Sequence, residues 1–236
     1  MRTDTVEIKG LIEASLIEWP GRIAAVVFLP GCNLRCRYCH ARDIISGGGA
    51  AESIPLERVL EFAEGKKGWI DGVVISGGEP TLDPGLPALA GRIKAMGLAV
   101  KVDTNGTRPA VLQRMIAGGL IDAVSMDVKA PLDYRYFQVT RAVVNLDDIR
   151  RSIGILMRSE IEYEFRTTVS PFLMSALDVS EIAQSIEGAR RYTLQPFNPH
   201  TCLDRSLEGH PPCPISFLED AARLAKGFVG KVSIRR

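Results

Sequence analysis

Arg22-Ile-Ala-Ala-Val-Val-Phe-Leu29, an unbroken apolar run between Pro20-Gly21 and Pro30-Gly31, leads directly into Cys32-Asn-Leu-Arg-Cys36-Arg-Tyr-Cys39-His40. The run suits a strand buried on both faces. The C-x3-C-x2-C spacing supplies three closely grouped thiolates, one fewer than a closed four-cysteine cluster or a structural zinc site needs. A [4Fe–4S] cluster held there has three irons capped by protein and a fourth with an open coordination position. An open iron can take a substrate or cofactor directly, and that points to an enzyme. The rival ligand is zinc with His40 as fourth donor. Because His40 is adjacent to Cys39, tetrahedral ligation of one ion by both is awkward.

Moving outward, short β-rich runs alternate with amphipathic segments. Residues 72–76, 98–103, 121–129, 162–169, 190–197 and 228–234 read as further strands. Helices are expected over 55–64, 85–96, 110–117, 147–157, 179–187 and 214–226, with Ser53 as N-cap of the first, just before Pro55. Strands alternating with helices imply βαβ units, a parallel sheet and right-handed crossovers, which curl the series toward a barrel or a doubly wound sheet. No internal repeat or linker divides the chain, so residues 1–236 are expected to form one domain. The Ser46-Gly47-Gly48-Gly49-Ala50-Ala51 stretch reads as chain slack or as a cover over the cysteine loop.

Polar groups sit where these strands end. Ser76-Gly77-Gly78-Glu79-Pro80 follows the second strand and Asp103-Thr104-Asn105-Gly106 the third. Asp127-Val128-Lys129 closes the fourth, Arg166 lies on the fifth, and residues 195–200 follow the sixth. In a parallel barrel all these ends emerge on one face, so the groups converge on one pocket. Each has a plainer reading. Gly77-Gly78 could be a tight turn, Asp103 to Asn105 a helix cap, and Asp127 with Lys129 an internal ion pair. Arg166 is harder to dismiss, because a buried guanidinium needs an anion, and a ligand carboxylate or phosphate would serve.

The chain carries 29 Lys and Arg against 28 Asp and Glu, a formal charge of +1, with 46% hydrophobic residues. That balance gives no electrostatic case for a nucleic-acid or membrane partner. With no apolar run long enough to span a bilayer and no signal-peptide core, the chain is expected to be cytoplasmic, where grouped cysteines bind metal more often than they form disulfides. Cys202 and Cys213 read as small buried or loop residues. The loop over 203–214, with its His-Pro-Pro-Cys-Pro, reads either as a partner contact or as closure of the barrel.

C-x3-C-x2-C with an aromatic residue before the third cysteine, followed at the next strand end by Gly-Gly-Glu-Pro, resembles the radical S-adenosylmethionine (SAM) superfamily. The likeness spans the chain and is nearest to activating enzymes of glycyl-radical enzymes, in particular the anaerobic ribonucleoside-triphosphate reductase activating proteins. It is carried also by residues 15–21 (Ser-Leu-Ile-Glu-Trp-Pro-Gly), 28–33, 103–106, 127–129 and 194–199 (Leu-Gln-Pro-Phe-Asn-Pro).

The resemblance implies a partial (β/α)6 TIM-type barrel with a [4Fe–4S] cluster on Cys32, Cys36 and Cys39. Tyr38 would give backbone contacts to the adenine of SAM, and Gly77, Gly78 and Glu79 would receive its ammonium group. Thr104, Asn105, Lys129 and Arg166 would contact ribose or carboxylate. Asp103, Thr104 and Asp127, with the Ser125 carbonyl, match a monovalent-cation site of pyruvate formate-lyase activases. Asn198 stands where those activases carry a histidine, which shifts the likeness toward the reductase branch. The implied partners are a glycyl-radical enzyme and a flavodoxin- or ferredoxin-type electron donor. Two other classes stay open: a radical SAM enzyme acting on a small molecule, and a non-catalytic cluster or zinc module.

Overall fold

The apolar run at 22–29 forms the second strand of one eight-stranded sheet in a computed structural model that describes residues 6–45 and 52–235. The strands are β1 (Gly10–Ser15), β2 (Ala24–Leu29), β3 (Gly72–Gly77), β4 (Ala99–Thr104), β5 (Ala123–Asp127), β6 (Glu162–Val169), β7 (Tyr192–Pro196) and β8 (Val232–Ile234). They lie side by side in chain order. β1 pairs antiparallel with β2, and every later pair is parallel. The helices are α1 (Arg42–Ile45), α2 (Leu56–Gly65), α3 (Leu86–Ala95), α4 (Pro109–Ala117), α5 (Tyr134–Thr140), α6 (Leu146–Arg158), α7 (Ala176–Ser185) and α8 (Ile215–Ala225). The expected parallel α/β architecture is therefore present. Sequential order with a helix between most successive strands puts the carboxyl ends of β2 to β7 on one rim.

Alternation along the strands separates two layers. Val27 and Leu29 of β2, Val73 and Ile75 of β3, and Val100 and Val102 of β4 belong to the large core shared with the helices. The opposite faces meet around Trp19, which packs with Ala24, Val26, Val74 and Ala123. One indole can reach β2, β3 and β5 together when the sheet curls around it. The plug is tied in place at its rim. Lys101 Nζ donates to the Glu18 carbonyl at 2.8 Å, and Arg235 donates to the Ile17 carbonyl and pairs with Glu18, both at 2.9 Å. On the β4 to β7 side the same concave face is polar, carrying Lys101, Asp103, Ser125, Asp127, Glu164, Arg166 and Thr193.

Three elements depart from the sequence reading, the single-turn α1 among them. β1 is an edge strand, and three of its six residues are exposed, so it lacks the apolar run that marks its neighbours. α5 is built from Tyr-Arg-Tyr-Phe-Gln-Val-Thr, mostly aromatic and β-branched residues of low helix propensity. It forms because the Asp133 carboxylate accepts from Arg135 N and because Tyr136, Val139 and Thr140 are buried. The expected Ser53 cap of α2 is also corrected. Pro55 holds the cap position without a side-chain bond, while the Ser53 hydroxyl donates to Glu7 and accepts from Lys9. The 46–51 stretch lies outside the described residues.

Candidate cluster and cofactor site

Cys32, Cys36 and Cys39 line one cavity at the strand-end rim, with Tyr38 beside them. Ser76, Gly77 and Gly78 enter its wall from the end of β3, and Asp103, Thr104 and Asn105 from β4. Asp127 and Lys129 come from the end of β5 and Arg166 from β6. Topology thus gathers groups spread over 135 positions, from 32 to 166.

The cysteine loop is stitched to the turn after β3. Gly78 N donates to Leu29 O at 2.9 Å and Glu79 N to Gly31 O at 2.8 Å. This close approach explains the glycine pair. A Cβ on Gly78 would lie 1.8 Å from Gly31 O, and one on Gly77, whose φ is +113°, would lie 2.3 Å from Leu29 O. From β4, Asn105 Nδ2 donates to Asn33 Oδ1 at 2.9 Å and reaches Cys32 Sγ at 3.9 Å.

Glu79 ties the two turns together. It is absent from the cavity wall and 1% exposed, and its carboxylate accepts from Thr104 Oγ1 at 2.7 Å, Asn105 N at 2.6 Å, Thr81 N at 3.1 Å and the Thr81 hydroxyl. Burial pushes this carboxyl up, and bonds from Thr81, Asn105 and Thr104 partly offset it.

Below these turns runs a buried ladder of alternating charge. Lys101 Nζ bonds Asp103 Oδ1 at 2.7 Å, and Asp103 Oδ2 receives Ser76 Oγ at 3.1 Å and Arg166 at 3.2 Å. Arg166 Nε donates to Asp127 Oδ1 at 3.0 Å, and Lys129 Nζ to Asp127 Oδ2 at 2.9 Å. Arg166 is thus paired within the protein to Asp103 and Asp127. Burial raises the Asp127 carboxyl, but Arg166 and Lys129 outweigh it and hold the group at about 2. Asp103 is lowered in the same way, by Arg166 and Lys101 against burial. All four oxygens of the pair accept from side chains, with Lys101, Arg166 and Lys129 supplying the positive charge beside them. The Ser125 hydroxyl donates to Glu164 at 2.7 Å.

Asn198 sits on the loop after β7. It is outside the cavity wall, its carbonyl accepts from His40 Nε2 at 2.6 Å, and its Oδ1 accepts from His200 N. Cys202 and Cys213 are buried, as the bland reading holds.

The segment after β7 braces the cysteine loop, with little local sign of it among its residues. Leu203 N donates to Cys39 O at 3.0 Å and Asp204 N to Arg37 O at 2.9 Å. The Asp204 carboxylate takes Arg37 and Arg141, each at 2.7 Å. From the other side, Arg35 N and Arg37 N donate to the carbonyls of Thr140 and Val139 at 2.9 and 3.0 Å. Cys36 is held between two walls. Only the odd acidic residue at 204 and the arginines flanking Cys36 could have hinted at this.

Two observations bear on whether a [4Fe–4S] cluster and SAM fit. Burial pushes the Cys36 thiol up to about 12 and raises Cys32 too, so a strongly cationic centre is what would ionise them. The Tyr38 hydroxyl is buried in the wall with no hydrogen-bond partner, an opening for a polar ligand. The donor set fits both groups.

A curled parallel sheet with a three-cysteine loop after its first parallel strand, facing a Gly-Gly turn and a charged strand-end cavity, defines an α/β enzyme that holds an iron–sulfur cluster and a charged organic cofactor. The radical SAM superfamily profile matches residues 26–189, and the chain belongs to that superfamily. It is a radical SAM enzyme, whose cofactors are a [4Fe–4S] cluster and SAM. It is 32% identical, over 97% of its length and 95% of the other's, to a Methanocaldococcus jannaschii protein provisionally named a glycyl-radical enzyme activating enzyme. With the pyruvate formate-lyase-activating enzyme of Clostridium pasteurianum it shares 27% identity over 84% of this chain and 82% of that one. In fold it is similar to Streptococcus suis SuiB bound to precursor peptide SuiA (TM-score 0.63, 13% identity), covering 89% of this chain and 48% of that one. No helix among the described residues is long and apolar enough to cross a membrane.

Proposed function

We propose that this chain activates a glycyl-radical enzyme, with anaerobic ribonucleoside-triphosphate reductase as the partner. The full-length likeness to the M. jannaschii protein carries this reading, because it covers the ends of the chain as well as the shared cluster-binding half. The choice of reductase follows Gln195-Pro196-Phe197-Asn198, which departs from the histidine-bearing loop of the formate-lyase activases.

The cluster, when bound, supplies the electron that splits SAM and frees the 5′-deoxyadenosyl fragment to take a hydrogen atom from the partner's glycine. The chain's own contribution is binding and aim. Cys32, Cys36 and Cys39 anchor the cluster. Gly77 and Gly78 present bare backbone to the cofactor's ammonium, Lys129 and Arg166 face its carboxylate, and Thr104 and Asn105 face its ribose. Tyr38 closes the wall beside the adenine. Orientation dominates, since a misdirected radical attacks the protein itself.

The test is to incubate anaerobically reconstituted enzyme with SAM, a reductant and the reductase, and to record the electron paramagnetic resonance spectrum. A glycyl-radical doublet on the reductase is expected, lost with Cys36→Ala although that variant keeps its circular dichroism. SAM cleavage with no doublet on any glycyl-radical partner, together with turnover of a small metabolite, would refute the proposal.

A further inference from the structure

Tyr136 of α5 is fully buried, at 0% exposure, yet its hydroxyl has no hydrogen-bond partner among the described residues. Burying a hydroxyl without a partner is costly, and phenylalanine would fill the same space without that cost. The phenol is a donor with no acceptor in the polypeptide around it.

The backbone sets its place. Tyr136, Val139 and Thr140 share the buried face of α5. The carbonyls of Val139 and Thr140 accept from Arg37 N at 3.0 Å and Arg35 N at 2.9 Å, so they bracket Cys36. Cys36, Tyr38 and Tyr136 belong to the same buried core. Burial pushes the Tyr136 hydroxyl up, Lys129 draws it down and Cys36 raises it again, as befits a phenol lodged between the two. The Lys129 amide also faces the phenol oxygen, without a hydrogen bond of acceptable geometry. A bond there would still leave the O–H proton undelivered.

Other donors near Cys36 are spent. Lys129 Nζ serves Asp127, the Arg35 guanidinium serves the Cys32 and Leu34 carbonyls, and Arg37 serves Asp204. Tyr38 has the other orphaned phenol of this region. The two differ in access, because Tyr38 lines the cavity and Tyr136 stands behind its wall. A ligand filling the cavity can therefore meet Tyr38, whereas Tyr136 is left to whatever is bonded to Cys36.

We infer that the Tyr136 hydroxyl donates a hydrogen bond to sulfur at the Cys36 corner of the cluster and thereby raises the cluster's reduction potential; the inference rests on the cluster site and not on which enzyme is the partner. A hydrogen-bonded sulfur bears added negative charge better, so the reduced state gains more than the oxidised one.

The experiment is a redox titration of anaerobically reconstituted, full-length protein, with the reduced cluster followed by electron paramagnetic resonance. Tyr136→Phe should take up iron and sulfide normally and disfavour reduction about tenfold, a fall of about 59 mV for one electron. In deuterated water the variant should also lose one deuteron coupling to the reduced cluster. In urea unfolding of the full chain before reconstitution, Tyr136→Phe should not lower the midpoint, because the hydroxyl it removes has no partner there. Tyr192→Phe is the control. The Tyr192 hydroxyl is equally buried but donates to Thr167 Oγ1 at 2.8 Å, so its loss should lower the urea midpoint and leave the potential alone. A normal cluster with an unmoved potential in Tyr136→Phe would overturn the inference and leave the hydroxyl to a trapped water. So would an equal fall with Tyr192→Phe, a fall with Tyr38→Phe alone, or a lowered urea midpoint in Tyr136→Phe, which would reveal a partner within the protein. Unaltered protein that takes up no [4Fe–4S] cluster would instead overturn the cluster assignment, and the inference with it.

Discussion

Gly78 and Glu79 are adjacent, and the structure gives them different work. Gly78 lets the backbone after β3 lie against Gly31, at the root of the cysteine loop, and Glu79 ties the turns after β3 and β4 together. Gly78→Ala should push Gly31 aside, and reconstituted protein should bind measurably less iron and sulfide; full cluster content would show that the loop absorbs the shift. Glu79→Gln places an amide donor opposite a donor, most directly at Asn105 N, and should cost about 2 kcal/mol in urea unfolding. An unaltered midpoint would mean that relief from the buried charge cancels the lost acceptor. Motif reading finds both residues, but it does not show that Glu79 braces the two turns. That distinction depends on where a carboxylate points, and residue type does not encode direction.

Among the elements, the parallel strands announced themselves through apolar runs ended by turn residues, and β2 to β7 follow that reading closely. α5 and the segment after β7 did not. α5 has poor helix propensity and gains its stability from burial against the cysteine loop, a long-range contact with no local trace. Asp204 lies 168 positions beyond Cys36 yet secures Arg37 and Arg141 around it. Among the described residues Arg141 is the non-glycine residue with a positive φ, 47°, at the end of α5, and its ion pair helps to hold that conformation. Asp204→Asn should therefore loosen the cysteine loop and speed iron loss to a chelator several-fold, roughly the effect of one lost charge-assisted hydrogen bond. Identical chelation kinetics would make the brace incidental.

Across the whole molecule, the concave face is divided between the Trp19 plug and the ladder of Lys101, Asp103, Arg166, Asp127 and Lys129. The ladder makes acid stability predictable. Asp127 falls from an ordinary 3.8 to about 2, and Asp103 is lowered as well. Groups depressed on folding stabilise the fold above their unfolded value and lose that contribution as pH falls through the folded one. Urea midpoints should thus drop steeply from pH 4 toward pH 2, with a shallower slope in Asp127→Asn; matching slopes would remove the ladder from the account. The α/β class, the grouping of three cysteines after the first parallel strand and the rim on which the polar motifs gather were legible in the sequence, because strand periodicity and residue spacing are local properties of the chain. Tertiary structure alone decided which motif residues face the cavity, that Asp103 and Asp127 are neutralised by side chains, and that α5 and Asp204 clamp the cysteine loop. Those outcomes depend on contacts between distant segments, and such contacts exist only once the sheet has curled and brought its strand ends together.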